Sequence, residues 1–310
     1  MSPKIEQLTE SFLLGEGPHW DVATQSLYFV DCIRQNLVKY NPTTNKVTKA
    51  SAAPKQPTFI IPVQGKSDHF IISLDKELAI VNWDGESDKF TIVQKLCVAD
   101  GGPGTAQNKF NDGKCDSSGR LWAGTLNIDK EDEDKTLPVG TLYSFDSKRG
   151  LKGHISQVRL TNGIAFNDQT KKMFYIDTLK GTVDQFDFDV TSGEISNRKV
   201  WFTLNQNNIS GKPDGMTIDT DGNLWVAVFQ GSRVIKIDGH TPETLLDTIE
   251  MPAQQVTSVA FGGPNLDELY VTTASFEYKG RTPPPPVNGA LYRITGTGSK
   301  GLPANNFKLN

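Results

Sequence analysis

One strand pattern recurs six times along this chain of 310 residues, at a spacing of roughly 50 residues. Each copy has an apolar strand that follows a turn rich in Gly, Asp, Asn or Ser and precedes a further pair of alternating strands. The bulky residues at the centres of these apolar strands are Tyr28, Phe70, Trp122, Phe174, Trp225 and Tyr270. Six units of about four strands each predict an all-β fold, a six-bladed β-propeller with four antiparallel strands per blade.

Other repeat architectures fit the pattern less well. A parallel β-helix needs shorter repeats, and a helical solenoid needs an apolar period of 3.6 residues. A continuous linker is also missing, so we expect residues 1–310 to form one domain. Propellers usually close by pairing strands from the two ends of the chain, which removes free strand edges. Residues 4–14 and 301–308 are the predicted closing segments.

Composition and charge narrow the range of partners. The net charge of -4 is too small to attract nucleic acid, and apolar runs such as residues 59–63 are strand-sized rather than membrane-spanning. Residues 1–10 are polar, which predicts no secretory signal, and three cysteines suit a reducing compartment. We therefore expect a cytoplasmic monomer that binds a small molecule and contacts neither nucleic acid nor membrane.

Four polar signatures occupy equivalent positions in successive repeats. They are Glu16-Gly17-Pro18, Asn111-Asp112-Gly113, Asn162-Gly163 and Pro213-Asp214-Gly215. We expect each signature to lie directly before the first strand of its blade. The first strands of a propeller line the central channel, so the signature side chains should share one rim, at one mouth of that channel. Two carboxylates and two amides around a water-accessible channel suit Ca²⁺, Mg²⁺ or Mn²⁺.

The alternative interpretation is that Asn-Gly and Asp-Gly dipeptides are ordinary turn residues. The two remaining repeats argue against it, because they carry Phe59-Ile60-Ile61 and Val256-Thr257-Ser258 at the same point. A purely structural turn should recur in every repeat, whereas the side chains of a binding site come from only some of the repeats. The glycines of the signatures are expected to let the backbones approach closely near the axis.

Competing sites have less support. The chain has no zincin, zinc-finger or serine-hydrolase motif. His19, His69, His154 and His240 are expected to be structural, although His19 is near enough to Glu16 to support a metal ligand. The acidic residues 129–135 lack the ligand spacing of an EF-hand and are expected to form a solvated loop or a lid.

Several segments together resemble the family of gluconolactonases, regucalcins and luciferin-regenerating enzymes. The segments that carry the resemblance are residues 15–20, 111–114, 162–165, 213–216 and 224–227. Residues 256–266 are most similar to the luciferin-regenerating branch. The resemblance implies a six-bladed propeller with one divalent cation, most often Ca²⁺, with Mg²⁺, Mn²⁺ or Zn²⁺ as alternatives. It implies that Glu16, Asn162 and Asp214 bind the metal, that Asn111 contacts substrate, and that Asp214 is also the general base.

Two positions depart from the sugar-lactonase members of that family. Those members carry an Arg where this chain has Lys109, and a Glu further along where this chain has Asp129. Lys supplies charge without the bidentate fork of Arg, and Asp is one methylene shorter than Glu. Both residues are assigned to substrate binding, and both changes weaken the expectation of a sugar lactone while leaving the metal ligands intact.

The expected activity is hydrolysis of a cyclic ester or a comparable carbonyl compound. The cation would polarise the carbonyl, Asp214 would accept a proton, and Asn111 and Lys109 would orient the substrate. For a luciferin-regenerating enzyme, the resemblance implies conversion of oxyluciferin towards a cyano-benzothiazole. Apolar walls for such a flat substrate would come from Phe59, Phe110, Trp122 or Phe229. The alternatives are a calcium-binding propeller without catalysis and a sugar lactonase.

Overall fold

The apolar runs of the sequence form strands throughout the structure, a computed structural model that describes residues 2–128 and 133–309. The first strands are β1 (Lys4–Gln7), β2 (Gly15–Asp21), β3 (Ser26–Asp31), β4 (Asn36–Asn41), β5 (Lys46–Ser51), β6 (Ile60–Pro62), β7 (His69–Leu74), β8 (Glu77–Asn82), β9 (Thr91–Val98), β10 (Lys109–Cys115), β11 (Leu121–Leu126) and β12 (Gly140–Asp146). The remaining strands are β13 (Gly150–Val158), β14 (Thr161–Asn167), β15 (Lys172–Asp177), β16 (Thr182–Asp189), β17 (Glu194–Thr203), β18 (Lys212–Ile218), β19 (Leu224–Phe229), β20 (Arg233–Ile237), β21 (Leu245–Glu250), β22 (Gln255–Gly262), β23 (Glu268–Ala274) and β24 (Tyr292–Thr295). Two short 3-10 helices, Glu133–Lys135 and Thr178–Lys180, complete the regular structure of the described residues.

The strands form antiparallel groups of four. Four separate sheets contain β2 to β5, β6 to β9, β10 to β13 and β14 to β17. A fifth, eight-stranded sheet divides into β18 to β21 and β22 to β24 with β1, and only the pair Phe229–Gln255 joins its halves. The all-β class and a propeller-like arrangement of four-stranded sheets are therefore as predicted.

The two ends of the chain have different roles. Strand β1 pairs with β24, from Lys4 opposite Thr295 to Gln7 opposite Tyr292. Residues 301–308, expected to supply a closing strand, instead form isolated bridges, at Gly301 and at Phe307. That expectation was wrong for this segment, since its backbone bonds reach several groups of strands in turn rather than one strand along its length.

The first strands of successive groups lie next to one another. Strand β10 packs beside β14, β14 beside β18, β18 beside β22 and β22 beside β2, which also contacts β6 and β10. Hydrophobic clusters fill the spaces between consecutive groups. In the cluster between the sixth and first groups, Trp20 stacks on Tyr270 with ring centroids 5.2 Å apart. Burial of these apolar faces is the main stabilisation of such packed sheets.

A repeated Asp fixes the hairpin between the first and second strands of two groups. Asp116 accepts hydrogen bonds from the backbone of Ser118 and Arg120 through Oδ1 and from Trp122 Nε1 through Oδ2, the last at 2.9 Å. Asp219 bonds Trp225 Nε1 in the same way at 3.1 Å. The turn residues seen in the sequence therefore hold the core tryptophan of the following strand. Among the described residues, no helix is long and apolar enough to cross a membrane.

Candidate metal and substrate site

The polar signatures lie at bulges inside the first strands, not before them as expected. In β10, β14 and β18 the pairing with the following strand contains one extra residue where Asn111-Asp112, Asn162-Gly163 and Asp214-Gly215 stand. Strand β2 has the same irregularity directly after Glu16. A bulge bends the strand and redirects a side chain, and bulges are frequent beside active sites. The bulges therefore interrupt the regular alternation of side chains at the oxygen-bearing residues of the signatures.

The glycines of two signatures allow close approach of neighbouring first strands. A Cβ on Gly163 would stand 2.6 Å from the carbonyl oxygen of Asp214, and one on Gly215 would stand 1.9 Å from Ser258 Oγ. Both distances are far below van der Waals contact. The predicted close approach of neighbouring first strands is thus present, and it holds the Asn162 strand against the Asp214 strand.

The structure brings the three predicted metal ligands together. Asn162 and Asp214 are 4% and 7% exposed, and the Asn162 side chain acts on the Asp214 carboxyl, where it opposes the rise in the pKa of that group. Asn162 Nδ2 also donates to Thr178 Oγ1 at 3.0 Å. The Oδ1 atoms of Asn162 and Asp214 are buried and have no hydrogen-bond partner. An unpaired buried acceptor is costly, so two of them side by side indicate a missing positive group.

Electrostatic repulsion between carboxylates reinforces that indication. Burial, followed by the nearby Asp214 and Asp112 carboxylates, raises the pKa of Glu16 well above its ordinary value. Burial and Asp112 raise the pKa of Asp214 in the same direction. Glu16 keeps part of its surface accessible, which leaves a route to it from solvent. Like charges that gather without a cation disfavour their own ionised forms.

These donors fit a hard divalent cation. Carboxylate and amide oxygens are the ligands that Ca²⁺ and Mg²⁺ take in proteins. Within residues 2–128 and 133–309 no three His, Cys, Asp or Glu side chains are grouped for metal binding. The candidate set has only two carboxylates, and its third member is the Asn162 amide, so the donor chemistry excludes the soft-ligand sites typical of structural zinc.

The sequence did not reveal two further charged residues, the buried Asp112 and the half-buried Lys114, in the same strand as Asn111. Asp112 is 8% exposed, its Oδ1 accepts from the Gly113 backbone at 2.8 Å, and burial raises its pKa. Lys114 donates to the Met216 carbonyl at 2.5 Å, and burial lowers its pKa while Asp112 opposes that shift. The only signal in the sequence was their position within and directly after a signature. Lys114 places one positive charge near the Asp112 carboxylate.

The predicted substrate residues are distributed along the rim. Asn111 Nδ2 donates to the Thr161 carbonyl at 2.8 Å, which places it directly beside the strand of Asn162. Lys109 Nζ donates to Gln56 Oε1 at 2.5 Å, and Lys109 lines a cavity of about 710 Å³. Asp129 lies outside the described residues. Asn111 therefore lies beside the strand that carries Asn162, and Lys109 is held at Gln56.

Three of the four aromatic residues expected to line the site are part of the core. Phe59, Phe110 and Trp122 are fully buried in hydrophobic clusters between groups of strands. That expectation was wrong for them, because the alternation of β-strands turns these rings into the sheet interfaces. Phe229 is different: it stacks on Phe276 at 5.9 Å, at the end of β19 where this strand pairs with the start of β18.

The acidic segment contributes a contact across the rim. Glu133 is only 7% exposed and forms ion pairs with Lys212 and with Lys279, the latter at 2.8 Å. Its pKa falls to about 2, because these lysines and Tyr278 outweigh the opposing effect of burial. Residues 129–132 lie outside the described part of the chain. The expectation of a solvated loop was therefore wrong for Glu133, which connects the third group of strands to the fifth and sixth.

The C-terminal segment crosses the opposite end of the first strands. His19 Nε2 and Asn306 Oδ1 are 3.0 Å apart, and Asn305 Nδ2 donates to the Cys115 carbonyl. Phe307 is fully buried in the cluster between the second and third groups. His19 is 8% exposed, and burial lowers its pKa to about 4. His19 is therefore a neutral structural residue at neutral pH, held by this segment.

The chain is similar to proteins of known name along its whole length. A family model described as the SMP-30/Gluconolactonase/LRE-like region matches residues 14–275. Regucalcin from Xenopus laevis and regucalcin from Gallus gallus are each 34% identical over 311 aligned positions, covering 99% of both chains. A solved luciferin-regenerating enzyme is 43% identical with a TM-score of 0.94, covering 99% of this chain and 100% of that one. A calcium-binding regucalcin from Agrobacterium tumefaciens, at 22% identity and a TM-score of 0.82 over 98% and 97% of the two chains, shares the fold.

Proposed function

Because this chain belongs to the SMP-30/gluconolactonase/LRE-like family, we propose that it is a divalent-metal-dependent hydrolase of a lactone or a comparable cyclic carbonyl compound. The observation that carries the proposal is the pair of buried, unpartnered Oδ1 atoms on Asn162 and Asp214. We also propose that the six groups of strands are the blades of one closed propeller domain. The contacts between their first strands support this arrangement.

Glu16, Asn162 and Asp214 would hold one divalent cation, with Ca²⁺ the first choice and Mg²⁺, Mn²⁺ or Zn²⁺ as alternatives. The all-oxygen donor set favours Ca²⁺, which accepts irregular geometry and several water ligands. Charge supports a divalent ion as well. Glu16, Asp112 and Asp214 carry three negative charges when ionised and Lys114 carries one positive charge, so a dication would bring the group to neutrality.

The residues of this chain would divide the chemistry among them. A bound divalent cation supplies Lewis-acid polarisation of a carbonyl oxygen. Asp214 would accept the proton of the attacking water. Asn111 would orient the substrate from the neighbouring strand, and the Lys109 ammonium would stabilise negative charge further out on the rim. Asp129 remains a proposed substrate residue.

A second candidate is luciferin-regenerating activity, with oxyluciferin converted towards a cyano-benzothiazole. Its support is the 43% identity and TM-score of 0.94 to a luciferin-regenerating enzyme. Phe229, Phe276 and Tyr278 form an aromatic group beside Lys212 that could face a flat substrate. A third candidate, favoured by the regucalcin relatives, is calcium binding without turnover. A sugar lactonase is the remaining alternative within the family.

One experiment separates these candidates. Protein treated with a chelator would be assayed with Ca²⁺, Mg²⁺, Mn²⁺ or Zn²⁺ added back, on a small panel of lactones and on oxyluciferin. We expect metal-restored hydrolysis that falls by several orders of magnitude in Asp214→Ala and persists in Asp168→Ala, whose carboxylate is exposed. Calcium binding with no turnover of any substrate, equal in wild type and Asp214→Ala, would refute the hydrolase and leave the binding protein.

We further propose a monomer that acts in the cytoplasm. The three cysteines support a reducing compartment, since Cys32, Cys97 and Cys115 are all free. Sedimentation analysis of the purified protein and fractionation of source cells would test the two statements.

A further inference from the structure

The side chain of Lys114 connects two first strands that are not neighbours. Lys114 lies near the end of β10, and its ammonium donates to the Met216 carbonyl of β18 at 2.5 Å. Strand β14 lies between these two strands, because it packs beside β10 on one side and beside β18 on the other. The Lys114 side chain therefore reaches past β14 and joins the third group of strands to the fifth.

Both ends of this hydrogen bond lie close to site residues along the chain. Lys114 follows Asn111, the proposed substrate contact, by three residues, and Met216 follows Asp214 by two. In β10 and in β18 the bond lies at the end of the bulge that carries the site residue, or directly after it. A bond beside each bulge limits how far the two bulges can move relative to each other.

The first strands depend on such side-chain bonds. Among residues 2–128 and 133–309, no ladder of backbone hydrogen bonds joins β10, β14 and β18 to one another. The backbones of β14 and β18 are in direct contact, since a Cβ on Gly163 would stand 2.8 Å from the Met216 nitrogen. Asn111 links β10 to β14 through the Thr161 carbonyl, and Lys114 links β10 to β18. These two bonds fix the strand of Asn111 against both strands that carry predicted metal ligands.

The ammonium of Lys114 is placed at a free-energy cost. Burial lowers the pKa of Lys114, and the Asp112 carboxylate opposes that shift. Packing alone would be served as well by an apolar side chain of similar length, which has no charge to desolvate. A charge-assisted hydrogen bond to a carbonyl is strong and directional, and it offsets this cost. The ammonium therefore contributes a fixed link rather than volume.

We propose that Lys114 is a positioning residue, whose bond to the Met216 carbonyl holds Asp214 in a fixed position relative to Asn111. The inference rests on the proposed function, in which Asp214 accepts a proton from water and Asn111 orients the substrate. Lys114 would act through Asp214, without contact to substrate or cation. A displacement of about 1 Å between reacting groups can cost about 100-fold in rate, so loss of this bond should lower kcat.

Steady-state kinetics on a lactone test the positioning directly. Lys114→Met keeps the length of the side chain and removes the ammonium. We expect kcat to fall about 100-fold while KM changes less than about threefold, because the bond orients the base and does not bind substrate. Lys114→Arg, which can still donate to the Met216 carbonyl, should keep kcat within about tenfold of wild type.

A matched control variant is Lys236→Met. The Lys236 ammonium is also largely buried, donates to Ser299 Oγ at 2.8 Å and pairs with Asp219 at 3.1 Å, away from the signatures. Both methionine variants should lower the Tm, since each removes a partly buried hydrogen bond. Only Lys114→Met should lower kcat. If Lys114→Met does not fold, Lys114→Gln, which is shorter and uncharged, replaces it.

A second measurement requires no turnover. Calorimetric titration gives the Kd of each variant for Ca²⁺ and for Mg²⁺. Removal of the Lys114 charge shifts both constants by a similar factor, because the two cations carry the same charge, so their ratio reports the placement of the ligands. Discrimination between these cations depends on the size and rigidity of the site. We expect the ratio to change about tenfold in Lys114→Met and less than about twofold in Lys114→Arg and Lys236→Met.

The two measurements separate this inference from the hydrolase itself. A changed cation ratio in Lys114→Met alone, with no lactone turned over by wild type, would refute the hydrolase and retain the positioning of Asp214. Wild-type kcat and an unchanged ratio in Lys114→Met would overturn the positioning and retain the hydrolase. Equal losses of kcat in Lys114→Met and Lys236→Met would overturn it as well, since a general loss of stability would then explain both.

Discussion

His19 should make the protein lose stability in mild acid by an amount that can be calculated. Its native pKa is about 4, lowered mainly by burial, against 6.5 for an exposed imidazole. Above pH 6.5 neither the native nor the unfolded state binds this proton, so the residue has no effect. Between pH 6.5 and 4 the unfolded state binds the proton first, and the free energy of unfolding therefore falls as pH falls.

The expected loss at pH 4.5 is about 2.5 kcal/mol relative to pH 7.5, since one unit of pKa difference corresponds to about 1.4 kcal/mol. For a chain of 310 residues the entropy of unfolding is about 0.65 kcal/mol per kelvin, so the loss corresponds to about 4 °C in Tm. His19→Gln removes the titrating group and leaves an amide that can still reach Asn306. Other acidic groups titrate in both proteins, so the difference between them isolates His19.

The assay is calorimetric Tm from pH 7.5 to 4.5 in chelator, for wild type, His19→Gln and His240→Gln. His240 is exposed, and its variant is the matched control. The wild-type and His240→Gln curves should fall together, and His19→Gln should lose about 4 °C less than either between those pH values. Parallel curves for wild type and His19→Gln would refute the reasoning, because the buried imidazole would then bind its proton as readily as an exposed one.

Three further outcomes concern the candidate site. Asp214→Asn should raise the Tm of the metal-free protein by about 3 °C, equal to about 2 kcal/mol, because it removes a buried carboxylate that its neighbours repel. Added Ca²⁺ should not raise the Tm of this variant further. Scanning fluorimetry with chelator or with Ca²⁺ measures both Tm values. Gly163→Ala should cost about 2 kcal/mol in urea unfolding and weaken Ca²⁺ binding, because its Cβ would strike the Asp214 carbonyl, whereas Gly153→Ala meets only ordinary contacts. Glu133→Gln should speed amide hydrogen exchange around residues 133–139 by about tenfold, since Lys212 loses its acidic partner, and unchanged exchange would show that this ion pair holds nothing in place.

The strands were predictable where local pattern alone decides them. Leu27 to Val30 and Leu224 to Ala227 alternate with turns, and they lie in β3 and β19 as expected. The signatures were expected directly before the first strands and lie inside them, because a bulge cannot be distinguished from a turn in the sequence unless the partner strand is known. Asp112 was treated as part of a turn dipeptide. Its burial beside Glu16 and Asp214 depends on neighbours about 100 residues away along the chain, which no local pattern encodes.

Distant neighbours also explain why residues 301–308 form no strand. Their position at the end of the chain suggested a closing strand, yet Phe307 is buried as a single anchor and the flanking residues make bonds to separate groups. A strand requires a continuous partner edge, and strand β1 already occupies the outer edge of β24. Sequence periodicity predicts which segments favour extended backbone, but it does not predict which edges remain free for pairing.

The pairing of β1 with β24 has a consequence for how the protein is made. Lys4 leaves the ribosome almost the whole chain before Thr295, its partner. At synthesis rates of about 5–20 residues per second, β1 waits for roughly 15 to 60 seconds before that partner exists. During this interval Trp20 lacks Tyr270, the ring on which it stacks in the folded protein. The nascent protein therefore presents its first group of strands to solvent half-covered, and this is the stage at which chaperones would contact it and at which aggregation would begin.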